Sequence, residues 1–148
     1  TFHLTGVQLE VGEYTSSDLP PFRHESYGDN LDRCMRYYQR WEETASGGWE
    51  SAFATGYAAT STNANGYMAW KKEMRDNPSF SSANDTNYFR LLYLNVADSF
   101  DNVSAGSTTA FGAWLYDTSK FTGLTAGEGV QYQMTNGSGR FLAADAEL

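Results

Sequence analysis

From residue 44 onward the chain is cut into short pieces by turn-forming residues, and no other feature restricts its fold as strongly. The cuts fall at Ala45-Ser-Gly-Gly48, Asn63-Ala-Asn-Gly66, Arg75-Asp-Asn-Pro78, Asn84-Asp-Thr-Asn87, Asp98 to Ser107, Asp117 to Gly129 and Asn136-Gly-Ser-Gly139. Gly supplies positive φ, Pro a fixed φ, and Asn, Asp and Ser bond their own backbone, so each cut is a turn with a mechanism. The pieces between them are strand length and hold most of the 10 Tyr, 9 Phe and 4 Trp, side chains that suit a pleated surface. About seven strands at such intervals predict a mainly β chain built as an antiparallel β-sandwich or jelly roll.

Within that frame, residues 49 to 60 read as a strand and Asn65-Gly66 as the tight turn of a hairpin. Tyr67 to Met74 alternates, with Met68, Trp70 and Met74 on the core side. A short strand starts at Phe80. Tyr88 to Ala97 is nearly continuous in apolar residues and suits a sheet centre. Thr108 to Tyr116 reads as one strand, and Val130 to Met134 is expected to pair with Phe141 to Leu148.

The N-terminal part differs. Residues 4 to 12 alternate as a strand with Val7, Leu9 and Val11 on one face, and a polar stretch closed by Pro20-Pro21 follows as a linker. Ser26-Tyr-Gly-Asp29 has the form of a capping box, and Leu31, Cys34, Met35, Tyr38 and Trp41 fall at helical spacing, predicting a helix from Asp29 to about Arg40. Its other face would carry Arg33, Arg36, Tyr37 and Arg40. The expected division is residues 1–25, a strand and Pro-Pro linker, and residues 26–148, the helix plus a β-sandwich.

Charge and ligand chemistry narrow the function. A net charge of −8 disfavours phosphate backbones, so nucleic acid is not an expected partner. No segment has the ~20 apolar residues of a bilayer span, so no membrane insertion is expected. Cys34 is the only cysteine and His3 and His24 the only histidines, so neither a disulfide nor a metal is expected, and no cofactor motif is present.

Several blocks resemble the C-terminal region of tailed-bacteriophage tail fibres and related virion proteins. They are Thr5-Gly-Val-Gln-Leu-Glu-Val-Gly12, Pro21-Phe-Arg-His24, Leu31-Asp-Arg-Cys-Met-Arg-Tyr-Tyr38, Met74-Arg-Asp-Asn-Pro78, Leu124-Thr-Ala-Gly127 and Asp145-Ala-Glu-Leu148, in the family's order over most of the chain. Arg23 stands where the family usually has an acid, and Met35 where it usually has Gln. The resemblance implies a host-facing fibre tip on the virion, extracellular after release, with residues 1–25 as the remnant of an upstream domain. Such a tip is usually a homotrimer, joined to other virion proteins and adhering to host cell-surface polysaccharide or lipopolysaccharide.

Sugar binding uses flat rings against pyranose faces and amides or carboxylates against hydroxyls. Trp49, Trp70 and Trp114 read first as core aromatics, with Trp114 also kept among the ligand candidates. Tyr57, Tyr67, Tyr88 and Tyr116 sit beside turns and are the main stacking candidates, with Asn63, Asn65, Asn84, Asp85 and Asn87 as hydroxyl partners. Turn formation explains those five equally well. Arg33, Arg36, Tyr37, Tyr38 and Arg40 are the candidates for a subunit interface, pairing with acids such as Glu10, Glu42 or Glu43. Cys34 is expected to be a small buried hydrophobe. No nucleophile elbow, phosphate loop or histidine triad is present, so a non-catalytic role is expected. The alternatives are a structural virion module without a ligand and a polysaccharide depolymerase fragment.

Overall fold

The computed structural model describes residues 11–15, 17–18, 20–21, 24–43, 51–94, 96–117 and 121–147. Helix α1 spans Tyr27–Met35. Ser26 caps it, its Oγ accepting from the Asp29 N–H at 3.1 Å and its hydroxyl donating to Asp29 Oδ2 at 2.7 Å. The cap satisfies a backbone donor that the first turn would otherwise leave open.

The helix stops at Met35, short of the expected Arg40, and the reason is Gln39. This buried side chain donates from Nε2 to the carbonyls of Met35 and Lys72, at 3.0 and 2.6 Å, and accepts the Lys71 N–H at 2.8 Å. One amide thereby closes the helix end and ties it to the 71–72 loop. Tyr37 falls in the turn, while Tyr38, Arg40 and Trp41 enter strand β1 (Tyr38–Glu43) rather than a helical face.

Nine further strands follow among the described residues: β2 (Ser51–Ala58), β3 (Ala64–Ala69), β4 (Ser79–Ser82), β5 (Phe89–Tyr93), β6 (Val96–Phe100), β7 (Ala105–Thr109), β8 (Gly112–Asp117), β9 (Gly129–Met134) and β10 (Arg140–Asp145). They form two antiparallel sheets, ordered β1-β10-β4 and β6-β5-β9-β2-β3-β8-β7. The expected β-sandwich is what forms. Its core holds Phe89, Leu91, Phe100, Leu115, Phe121 and Tyr132 from the large sheet and its loops, against Leu142 and Ala144 of the small one. Trp41, Trp70 and Phe80 stack at one end, with Trp70 Nε1 donating to the Thr109 carbonyl at 2.8 Å.

Four expectations change. The apolar run Tyr88 to Ala97 is a hairpin: Tyr93 pairs with Val96, Leu94 takes φ 41°, and β6 becomes the sheet edge. Thr108 to Tyr116 is likewise two strands, β7 and β8, turned at Ala110-Phe111. Asn65-Gly66 is not a turn. Residues 59–63 turn instead, and Gly66 pairs with Gly56 inside the hairpin, because a Cβ on Gly66 would lie 2.6 Å from the buried Tyr132 ring. Finally, β9 and β10 do not pair. β9 lies between β2 and β5, β10 lies between β1 and β4, and 135–139 is a crossover between sheets, with Gly139 at φ 82°.

Met68, Trp70 and Met74 are all buried, as expected, although β3 ends at Ala69. Cys34 is exposed rather than buried, since α1 has no buried residue. The expected strand over 4 to 12 lies outside the described residues except for Val11 and Gly12, which are not in a strand, and Trp49 lies outside them too.

Candidate functional site

Residues directly opposite in antiparallel strands share a face, as do residues two apart along a strand. The register therefore builds a surface from the sequence. Tyr57 of β2 lies opposite Asn65 of β3, which lies opposite Tyr116 of β8. In the next row Thr55 lies opposite Tyr67, Tyr67 opposite Trp114, and Trp114 opposite Ser107 of β7. All face away from the core: Tyr57 is 46% exposed, Tyr67 49%, Trp114 40% and Tyr116 50%. Trp114 is thus a surface residue, against its first reading as core. Strands ~4.8 Å apart put Tyr57 and Tyr116 about 10 Å from each other across the sheet.

Glycines leave room beneath two of these strands. A Cβ on Gly112 would meet the Tyr67 Oη at 2.5 Å and Cζ at 2.7 Å, so the Tyr67 ring reclines over that glycine. A Cβ on Gly106 would meet Trp114 Cδ1 at 3.2 Å and Tyr116 Cβ at 3.3 Å. A ring lying along the sheet presents a face to solvent, which is the surface that stacking needs. Asn65 sits between the two outer tyrosines. Its Nδ2 donates to Tyr57 Oη at 3.3 Å, while its Oδ1 is covered and meets no donor among the described residues. At the β9 side, Gln133 Nε2 donates to Gln131 Oε1 at 2.6 Å and Gln133 Oε1 accepts from Arg90 Nε at 2.7 Å, a polar ladder that borders the aromatic rows.

Beneath the face, Tyr132 is fully buried, and its hydroxyl has no hydrogen-bond partner among the described residues. Burial first, and the nearby Asp117 carboxylate second, push its pKa up.

The other expected ligand residues are elsewhere. Asn63 shapes the 59–63 turn, its carbonyl accepting the Ala59 N–H at 2.9 Å. Asn84, Asp85 and Asn87 gather with Asp101 and Asn102 beside β5 and β6: Asn102 Nδ2 donates to Asn84 Oδ1 at 3.3 Å, the Asn87 N–H to Asp101 Oδ1 at 3.0 Å, and the Thr86 N–H to Asp85 Oδ1 at 2.7 Å. Tyr88 is half-buried with the Arg140 guanidinium 5.0 Å from its ring centre. Strands β9 and β2 separate this cluster from the β3 and β8 rings.

The expected interface residues fall on α1, the turn after it and β1. Arg33 pairs with Glu25, Arg40 pairs with Glu42 at 3.2 Å and stacks 4.2 Å from the Phe141 ring centre, and the Arg75 guanidinium lies 5.2 Å from the Tyr37 ring centre. Tyr38 faces Asp145 across the β1 and β10 ladder. Arg36 lines a charged cleft with Asp29, Asp32, Arg33 and Lys72. Sequence reasoning missed Phe111, 61% exposed in the turn before Gly112. Gly106 and Gly112, flanking that turn, were the signal that could have pointed there.

Among the described residues no three His, Cys, Asp or Glu side chains converge as a metal site, and no helix is long and apolar enough to cross a membrane. No protein-family model, curated protein or solved structure matches the chain.

Proposed function

We propose that the chain is a non-catalytic adhesion module, the tip of a phage tail fibre, that binds host cell-surface polysaccharide or lipopolysaccharide through the open face of its large sheet. The observation that carries this reading is the set of half-exposed rings of Tyr57, Tyr67, Trp114 and Tyr116 around Asn65. Aromatic residues of this size are usually buried or paired, and a contiguous exposed group marks an interaction surface. The fibre assignment rests on the ordered sequence blocks from Thr5 to Leu148. A depolymerase is disfavoured because glycoside cleavage needs two carboxyl groups about 5 to 9.5 Å apart flanking the bond, and Asp117, the acid on β8, is buried.

A homotrimer joined to other virion proteins completes the reading. Its support is α1, whose Leu31 and Cys34 lie open, since a helix of 9 residues is marginal unless its apolar face is covered. The same observation favours the second reading, a structural virion module. A bacterial-surface glycan array probed with the purified chain decides between them: retention on at least one glycan is expected, and its loss in W114A assigns it to the face. Assembly of particles that fail when Leu31 is changed, with adsorption intact in W114A, would favour the structural module.

A further inference from the structure

The face described above has an electrostatic property that the glycan reading does not require. In a chain with 19% charged residues, the five adjacent strands β9, β2, β3, β8 and β7 carry one charged side chain, Asp117, and it is buried. Arg90, the nearest cation in the strand order, lies a strand further on β5 and donates to Gln133. The strands that bear the rings therefore expose no charge of their own, on a molecule of net charge −8.

Resting on the glycan reading, we infer that the ligand is an internal stretch of an uncharged polysaccharide laid across β2, β3 and β8. A polyanionic glycan, bearing uronate, sialate or phosphate, would meet no cation on these strands to replace the water and counterions it gives up. It would also approach against the net charge of the whole chain. A neutral pyranose loses little on desolvating its apolar face, and a ring lying along the sheet recovers that cost by stacking.

The extent of the face sets the length of the ligand. The outer tyrosines are about 10 Å apart across the strands, and Tyr67 and Trp114 fill the adjoining row, an area broader than one sugar ring. A chain end or single sugar is held by a concave pocket that surrounds it, whereas rows of half-exposed rings grip several consecutive units. Directional bonds come from the same residues: Tyr57 Oη accepts from Asn65, which leaves its own proton to donate to a sugar hydroxyl. Thr55 and Ser107 end the second row with hydroxyls.

Affinity electrophoresis of the chain in gels containing neutral polymers (an α-glucan, a mannan, a galactan and a rhamnan) or anionic ones (alginate, polysialate and teichoate) tests this. Retardation by at least one neutral polymer is expected. It should be unchanged from about 0.1 M to about 1 M salt, over which the Debye length falls from about 10 to about 3 Å. W114A and Y67A are expected to weaken it tenfold or more, and W114F, which keeps a ring, to retain part of it, with circular dichroism confirming that each variant is folded. The constituent monosaccharide at equal sugar concentration should compete poorly. Retardation by anionic polymers alone, lost at high salt, overturns this inference and leaves the glycan reading standing, as does competition by the monosaccharide as effective as by the polymer. No retardation by any polymer, with a dimer that W114A dissociates, overturns both.

Discussion

Two regions were expected to bind ligand, and they differ in what their side chains offer to one. In the loops beside β5 and β6, the side chains of Asn84, Asp85 and Asp101 accept hydrogen bonds from Asn102 Nδ2 and from the backbone N–H groups of Thr86 and Asn87. On the outer face of β2, β3 and β8, the rings of Tyr57, Tyr67, Trp114 and Tyr116 are about half exposed, and Tyr57 Oη, which accepts from Asn65, keeps its own proton to donate. The first region is a folded loop made of polar residues. The second has spare valence, which is what a binding surface must have. Both sets read as ligand candidates in the sequence; the strand register and the partners their side chains already have separate them.

The largest effect that would sharpen this contrast comes from the floor of the face. Gly56 lies opposite Gly66, and a Cβ on Gly56 would stand 1.8 Å from the Asn65 carbonyl oxygen, a backbone atom that cannot swing away. G56A is expected to cost about 3 kcal/mol or more by overpacking, read as a fall in the urea midpoint. Because Asn65 would be displaced, glycan retardation should fall with it. A variant with unchanged stability would mean that the β2 and β3 approach is looser than described.

The direct comparison is W114A against D85A. Removing the exposed Trp114 ring is expected to lower glycan affinity about tenfold, or about 1.4 kcal/mol, with a stability loss under about 1 kcal/mol. Removing Asp85 takes the acceptor from the Thr86 N–H and is expected to cost about 1 kcal/mol of stability while leaving retardation unchanged. If D85A abolished binding and W114A did not, the two regions would exchange roles.

Tyr132 tests the layer between core and face. Its hydroxyl has no partner among the described residues, so Y132F is expected to stabilise the fold by about 1 kcal/mol at neutral pH. The sign of its pH dependence follows from the raised pKa. The folded state holds the phenol proton more tightly than the unfolded chain, so this contribution is intact below pH 10.0 and is lost as pH rises above it. Wild type should lose up to about 1.4 kcal/mol per pH unit more than Y132F in that range, measured as urea midpoints at pH 8 and pH 11. Equal slopes would show that the hydroxyl reaches solvent.

Much of the fold was legible because turn residues and alternation act locally. The Ser26 cap, the inward set Met68, Trp70 and Met74, and the span of β2 follow from such rules. The hairpin at Leu94 was not legible because no glycine marks it, and the one at Ala110-Phe111 because its glycine, Gly112, falls after the turn as the first residue of β8. Edge strand β6 is split in the sequence, Val96-Ala97 going with the apolar run and Asp98-Ser99-Phe100 with a loop, since three of its five residues face water. Helix and strand were confused between Tyr38 and Trp41 because inward Gln39 and Trp41 satisfy a period of two while Tyr38 and Trp41 also satisfy three. Of the candidate site, Tyr57, Asn65, Tyr67, Trp114 and Tyr116 were named from the sequence, but their assembly into rows needed the register of β2, β3 and β8. That register depends on Gly66 meeting Tyr132, a contact between residues far apart in the chain.

The smallest expected effect separates stability from binding. In α1, Gly28 is a helical position where an added Cβ would meet nothing closer than Ser26 Oγ, at 3.9 Å. A glycine there costs conformational entropy without serving a turn or a close approach, so G28A is expected to add about 0.5 to 1 kcal/mol. The gain would appear as a higher urea midpoint, with glycan retardation unchanged, because α1 lies outside the strands that carry the rings. If G28A altered retardation, the helix would have to be coupled to the face. The separation drawn here between an adhesive sheet surface and the helix as an assembly element would then fail.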